Sequence, residues 1–288
     1  MTMAGDERSE DAIATMLVGI ANPETIQRLM DLAECLAAYA EYNVIATHIL
    51  VVPPQAHLGS ARGSAEMAQA RQLLLDAIRQ GAGEDVPVKG VVEVAREVSE
   101  GLVSAAETQE ASLIVVGHSE LREEDEAAGK RFDRVMHQVA RNSEADLVVA
   151  KFRRDRVRSI LLPINTGLNL RVSGMLAGAI CRAKSAPVTL IHLLREDETE
   201  EQARERLEAL LAEQEMEDLG DLVIEQPPEG VDPLDRMLEI ANGHDVAIVG
   251  AEPRPSIAES IFGSWAERIA TQAECTVLLV RAKSADGD

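Results

Sequence analysis

Small, uncharged residues are the ones in this chain best placed to hold a ligand. Gly263 and Ser264 open an amphipathic helical pattern whose apolar positions include Ile261, Trp265, Ile269 and Ala273. Exposed backbone N–H groups at such a start, a hydroxyl and the positive end of the helix dipole together make a seat for an anion. Gly250 closes the apolar run Val246–Gly250 and has no side chain to keep a ligand off the backbone. The plainer reading of the same residues, an N-cap and a turn, stays open beside this one. Two further segments close comparable runs: Asn165-Thr166-Gly167 after Arg158–Ile164, and His192-Leu193 near the end of Val188–Leu194.

Reaction chemistry has less to stand on. His48 and His192 are the only histidines that repeat between the two halves of the chain, and a lone His inside a β-run reads as a structural residue. The acidic stretch Glu123–Glu126 reads as a solvated loop, with a divalent-cation site as the alternative. No Ser-His-Asp or Cys-His set can be assembled. Gly59-Ser60-Ala61-Arg62-Gly63-Ser64 lacks the Gly-Lys-Ser/Thr of a phosphate loop and reads as a flexible connector. No catalytic residue and no metal site are expected, and the chain is read as non-enzymatic.

These residues must be positioned by a framework, and the framework repeats. Leu17-Val18-Gly19-Ile20 is answered by Leu161-Leu162-Pro163-Ile164, and Thr47-His48-Ile49-Leu50 by Leu190-Ile191-His192-Leu193. The two histidines stand 144 residues apart, as do the two first runs, whereas Gly117 and Gly250, which end a later matching pair, stand 133 apart. So the front of each half keeps register and the second half is shorter further on. A period this long suits two copies of one α/β domain, each large enough for its own core.

In the first half, Thr15–Ile20, Val44–Val52, Val86–Val94, Leu113–Gly117 and Leu147–Phe152 read as strands. Pro23–Ala40, Ala65–Gln80, Ser99–Thr108 and Phe132–Asn142 read as helices between them. The second half repeats the order, with strands at Arg158–Ile164, Val188–Leu194, Leu222–Glu225, Val246–Gly250 and Thr276–Arg281. Its helices are placed at Leu168–Arg182, Glu198–Glu215, Asp232–Ala241 and Ser260–Gln272. The strand runs lack clean alternation, as expected where helices cover both faces of a parallel sheet. The expected architecture is therefore two tandem five-stranded parallel α/β domains, 14–152 and 158–282, of Rossmann-like type.

Composition narrows the partners. A net charge of −22 argues against nucleic acid and against an anionic membrane surface. Lysines are few (Lys89, Lys130, Lys151, Lys184 and Lys283), and an acid-rich, Lys-poor surface resembles that of proteins from salty cytoplasm, with a merely acidic mesophile protein as the equal alternative. Aromatics make up only 2% of residues, so the cores must be built from Leu, Val, Ile and Ala. Cys35, Cys181 and Cys275 are widely spaced and lie in apolar patterns, which reads as buried thiols in a reducing compartment. The first dozen residues are polar and acidic, unlike a signal peptide, and no apolar run approaches the roughly 18 residues of a membrane span. A cytoplasmic location is expected, with no insertion into a membrane.

The order, spacing and terminal-strand sequences of the two halves, over about Ala14–Phe152 and Arg158–Ala282, resemble a tandem universal stress protein. Nucleotide-binding members of that family carry Gly-x2-Gly-x9-Gly-Ser/Thr, an Asp after the first strand and a His-Val-like pair ending the second. The second half matches with Gly250-x2-Pro253-x9-Gly263-Ser264, so the spacing is kept, but Pro253 has no N–H to offer phosphate. The resemblance implies that Gly250, Gly263 and Ser264 would face ATP phosphates, and that Leu193 would meet adenine through its backbone. Asn165, with Thr166 beside it, stands where the family has its acid. In the first half Ala21 or Asn22 falls at the Asp position, Phe132-Asp133 replaces Gly-Ser, and Glu120 with Glu123–Glu126 crowds the phosphate region. ATP or another adenine nucleotide is expected in the second half only.

The resemblance carries two further implications. Members commonly dimerise through the last strand, so Leu147–Ala150 and Val277–Val280 are expected to pair within the chain and make it a pseudo-dimer, with a homodimer of whole chains also open. Ile20-Ala21-Asn22-Pro23 followed by a Leu/Ala-rich helix is similar to the soluble tails of some prokaryotic amino-acid and cation–chloride transporters. The function expected is that of a tandem regulatory protein; the alternative is a regulatory domain of, or partner to, a membrane transporter, without ATP.

Overall fold

The computed structural model describes residues 13–81, 86–118, 126–165, 167, 169–252 and 262–283. The first half runs β1 (Thr15–Gly19), α1 (Ile26–Ala40), β2 (Asn43–Val51), α2 (Ala65–Gly81), β3 (Val88–Ala95), α3 (Val98–Thr108), β4 (Ala111–Gly117), α4 (Glu126–Asn142) and β5 (Asp146–Lys151). The second half repeats it with β6 (Ile160–Pro163), α5 (Leu170–Lys184), β7 (Val188–Leu193), α6 (Glu200–Glu213), β8 (Asp221–Glu225), α7 (Pro233–Asn242), β9 (Val246–Gly250), α8 (Ser264–Gln272) and β10 (Thr276–Arg281). Among the described residues, no helix is long and apolar enough to cross a membrane.

All ten strands join one sheet in the order β3-β2-β1-β4-β5-β10-β9-β6-β7-β8. Every neighbouring pair is parallel except β5 and β10, which meet antiparallel with Leu278 opposite Ala150 and Val280 opposite Val148. Each half thus presents its last strand to the other, and two apolar edges that would otherwise be open become the middle of the sheet.

Alternation along the strands assigns the two cores. Met16 and Val18 of β1, Leu162 of β6 and Leu278 of β10 face one side, packed with the apolar faces of α1, α2, α5 and α6. Leu17, Leu161 and Leu279 face the other, with α3, α4, α7 and α8. Both cores run through both halves, and α1 packs directly on α5 across the joint. A Cβ on Gly178 would come within 2.5 Å of the Tyr39 hydroxyl, so a side chain there would push the half-exposed Tyr39 ring aside.

The joint is tied twice by related contacts. Buried Asp146, opening β5, accepts from the Lys283 backbone N–H at 2.7 Å and from Arg171 Nη2 at 2.6 Å. Thr276, opening β10, accepts at its hydroxyl from the backbone N–H groups of Arg153 and Arg154 at 3.0 and 3.1 Å. The first strands also repeat a contact: His48 Nδ1 lies 2.8 Å from the Ile20 carbonyl oxygen and His192 Nδ1 lies 2.9 Å from that of Ile164.

One expectation needs correction. The stretch read as a flexible connector holds a 3-10 turn, Leu58–Ala61, in which Ala61 is buried beside Met67. The His57 side chain accepts from the Gly59 N–H and the Ser60 hydroxyl donates to the His57 carbonyl, so local hydrogen bonds order a segment whose Gly/Ser content reads as loose.

Candidate functional site

In the second half the chain winds outward from β6 through β7 to β8, then returns to lay β9 on the other flank of β6. The crevice between β6 and β9, beyond their carboxyl ends, is therefore the point where the winding reverses and where such sheets bind ligands. It is opened by an early parting of the two strands. Their ladder covers only Ile160↔Val246 and Leu161↔Ala247, whereas β1 and β4 stay paired from Thr15 to Gly19. Pro163 supplies a reason. Ile164 N–H donates to the Ile191 carbonyl on the β7 side, so the residue before it turns its nitrogen toward β9, and proline has no hydrogen there.

A cavity of about 800 Å³ fills this crevice. Its walls include Pro163 ending β6 and Asn165 beyond it, Leu193 at the end of β7, Pro227 and Pro228 after β8, and Gly250 ending β9 with Glu252 beyond it. Met237 of α7 and Trp265 of α8 line it as well. A volume of this order takes a ligand of nucleotide size, since small-molecule sites span roughly 300–1,000 Å³.

Of the residues singled out from the sequence, Asn165, Leu193 and Gly250 share this cavity. Gly263, which caps α8, and Ser264, which opens it, are not among the residues lining the cavity; Gly263 is buried and Ser264 exposed. Thr166 lies outside the described residues, as do Pro253 and the acidic stretch 119–125. Gly250 packs closely on a neighbour: a Cβ there would stand 3.0 Å from the Cβ of Asn169. Asn169 is itself buried, donates from Nδ2 to the Ala251 carbonyl at 2.7 Å and accepts at Oδ1 from the Ala282 N–H at 2.8 Å. It ties the wall of the cavity to the strand end that reaches the joint at Lys283.

A second set of side chains holds the β6 exit. Arg206 of α6 donates from Nη1 to the Asn165 carbonyl at 3.0 Å and from Nη2 to Glu198 Oε1 at 2.8 Å. The other Glu198 oxygen lies 2.9 Å from His192 Nε2, and His192 is 3% exposed. Both ring nitrogens of His192 thus meet partners, which agrees with a structural role. The hydrogen bonds from His192 and Arg206 hold the Glu198 carboxyl at about 2. A carboxylate so lowered stabilises the fold above its ordinary titration range, and that contribution is lost as pH falls from about 4.5 toward 2. Thermal melts between pH 6 and about 2 should therefore show a steeper fall for the native chain than for Glu198→Gln, with the two curves converging at the acid end.

The start of α8 is already occupied. The Trp265 N–H donates to Glu252 Oε1 at 2.9 Å, and the Glu252 N–H donates to the Phe262 carbonyl at 2.8 Å. Gly263 precedes the helix with φ +88° and ψ 156°, and a Cβ on it would fall 2.2 Å from Glu252 Cδ. The carboxylate lies in the space a side chain would fill. Among the described residues, no group of three or more His, Cys, Asp or Glu side chains is arranged to hold a metal ion.

Asn169, Glu252 and the Arg206–Glu198 pair escaped the sequence reading. Asn169 carries the one local signal, an Asn before a helical run; its two bonds reach residues 82 and 113 positions away. Glu252 stands inside the glycine spacing, yet nothing in spacing tells which way a side chain points.

The model of the universal stress protein family matches residues 13–166 and 175–281. No curated protein matches the chain. Among solved structures, a universal stress protein from Archaeoglobus fulgidus is 13% identical, with a TM-score of 0.62 over 94% of this chain and 97% of that one. The cytoplasmic domain of a prokaryotic cation chloride cotransporter is 12% identical, with a TM-score of 0.60 over 95% of this chain and 97% of that one. A protein from Pseudomonas aeruginosa described as a putative universal stress protein is 17% identical, with a TM-score of 0.58 and 93% of each chain covered. At these identities the shared property is the fold.

Proposed function

The chain belongs to the universal stress protein family, and from that premise we propose that it is a non-enzymatic regulatory protein whose second half binds an adenine-bearing ligand by base and sugar. The observation that carries this reading is the cavity between β6 and β9, with Leu193, Gly250 and Asn165 on its walls. Leu193 offers backbone groups to a base, the Asn165 amide suits a ribose hydroxyl, and Trp265 and Met237 supply apolar surface for a flat ring. Binding would act through Ala251 and Asn169 on the joint between the halves, so the output is a changed surface for a partner protein.

Calorimetric titration with adenosine, AMP and ATP, with and without magnesium, tests the reading. High salt should accompany low salt, because a net charge of −22 repels anions at low ionic strength. The expected result is one site per chain with micromolar affinity for at least one of the three. Absence of heat with all three, together with an unmoved melting temperature, would overturn it.

A second reading makes the chain a cytoplasmic regulatory domain of, or docking partner to, a membrane amino-acid or cation–chloride transporter, without ATP. Its support is the whole-length likeness in fold to the cotransporter's cytoplasmic domain. Co-purification with a transporter encoded beside it would favour this reading; a neighbourhood without any transporter gene would count against it.

A further inference from the structure

We infer that Glu252 sets the ligand class of the second-half cavity: its carboxylate fills the anion seat at the start of α8, so the cavity takes an uncharged, nucleoside-type ligand and turns polyphosphates away. The inference rests on the proposal that this cavity is a binding site and adds which ligands it refuses.

Three observations support it. The first is direct occupancy, with Glu252 Oε1 accepting the Trp265 N–H at 2.9 Å within the first turn of the helix. An incoming phosphate would need that N–H and the same positive end of the dipole. The second is shape. Gly263 at φ +88° has no Cβ, and the space this leaves is filled by Cγ, Cδ and Oε1 of Glu252. The glycine that a phosphate would approach is used by the chain's own carboxylate. The third is the balance of charge on the wall. Glu196, Glu229 and Glu252 line the cavity, and Arg195 is the single Arg or Lys among the described lining residues. Arg195 Nε lies 3.7 Å from Glu198 Oε2, so that cation is shared with an acid. Glu252 is half-buried, whereas Glu196 and Glu229 are exposed, so a polyphosphate entering here meets an excess of negative charge that acts most strongly at Glu252. A nucleoside carries no charge and displaces nothing at α8.

The test uses the full chain, Glu252→Ala and Glu252→Gln, with inorganic pyrophosphate and adenosine as separate probes in about 0.5 M salt, where surface repulsion is screened. For the native chain, pyrophosphate is expected to leave the melting temperature unchanged. Glu252→Ala loses a helix cap and should melt somewhat lower on its own, then recover by several degrees with pyrophosphate. ATP should bind this variant at least about tenfold more tightly than it binds the native chain, a difference of about 1.4 kcal/mol. Glu252→Gln keeps an acceptor for Trp265 while removing the charge, so it holds the fold and should show a smaller gain of the same sign. Pyrophosphate binding by the native chain, or no gain in any variant that folds, would overturn the inference. Adenosine separates the two ideas. It should bind all three proteins alike, and its failure to bind would count against the cavity as a nucleoside site while the pyrophosphate result still decides the role of Glu252.

Discussion

Gly263→Ala should lower the stability of the protein by about 3 kcal/mol and its melting temperature by roughly 5 °C. Two causes act at one position. With φ +88° and ψ 156°, the backbone lies where only glycine is comfortable, and any side chain there costs about 1–3 kcal/mol. The new Cβ would also sit 2.2 Å from Glu252 Cδ, so the carboxylate must leave its seat. That removes the cap on the Trp265 N–H, a loss of about 1 kcal/mol. Gly263→Asp should fall further, because a second carboxylate would be set against that of Glu252. Denaturant unfolding checks the prediction through a lower midpoint at unchanged slope. A midpoint equal to that of the native chain would mean that Glu252 is not seated as described.

Asn169→Ala is expected to cost about 3–4 kcal/mol, although the residue carries no charge and touches neither chain terminus. Its side chain is 6% exposed and joins the Ala251 carbonyl to the Ala282 N–H. Truncation leaves an acceptor and a donor without partners, at about 1–3 kcal/mol for each that stays dry. It also opens a gap against Gly250, whose bare Cα lets Asn169 approach. Asn169→Asp is the informative companion. It keeps an acceptor for the Ala282 N–H but sets a carboxylate against the Ala251 carbonyl, so part of the loss should remain and should shrink as pH falls and the acid protonates. Equal stability of Asn169→Ala and the native chain would show that water replaces the amide at both ends.

Most of the framework was legible because it depends on local pattern. Apolar runs of strand length alternating with helical periodicity are readable residue by residue, and β2, α2, α3, β4, α7, β9 and β10 lie within a residue or two of where the sequence places them. The 144-residue repeat of the histidines reappears as the same ring-to-carbonyl contact in each half. The end of α1 at Ala40 falls where the sequence places it, and α5 runs on from Arg182 to Lys184, although neither end carries the usual glycine. Glu41 after α1 and Ser185 after α5 take the left-handed conformations, φ 55° and 53°, that a glycine usually marks.

The candidate site divides along the same line. The glycine spacing from Gly250 to Gly263 and the exits at Asn165 and Leu193 are one-dimensional features, and the sequence by itself determined that these belong to strand ends and to a helix start. Parallel α/β winding then brings Asn165, Leu193 and Gly250 to one crevice. What the tertiary structure decided is which groups are already satisfied when the chain folds. Pro163 ends the β6–β9 ladder through a hydrogen bond it cannot make, Asn169 reaches Ala251 and Ala282 across the sheet, and Glu252 accepts the Trp265 N–H in the first turn of α8. Each of these depends on the direction of one side chain or one N–H relative to residues remote in sequence or across a turn. Composition and periodicity carry no such direction, because they record what a residue prefers and not which partner reaches it first.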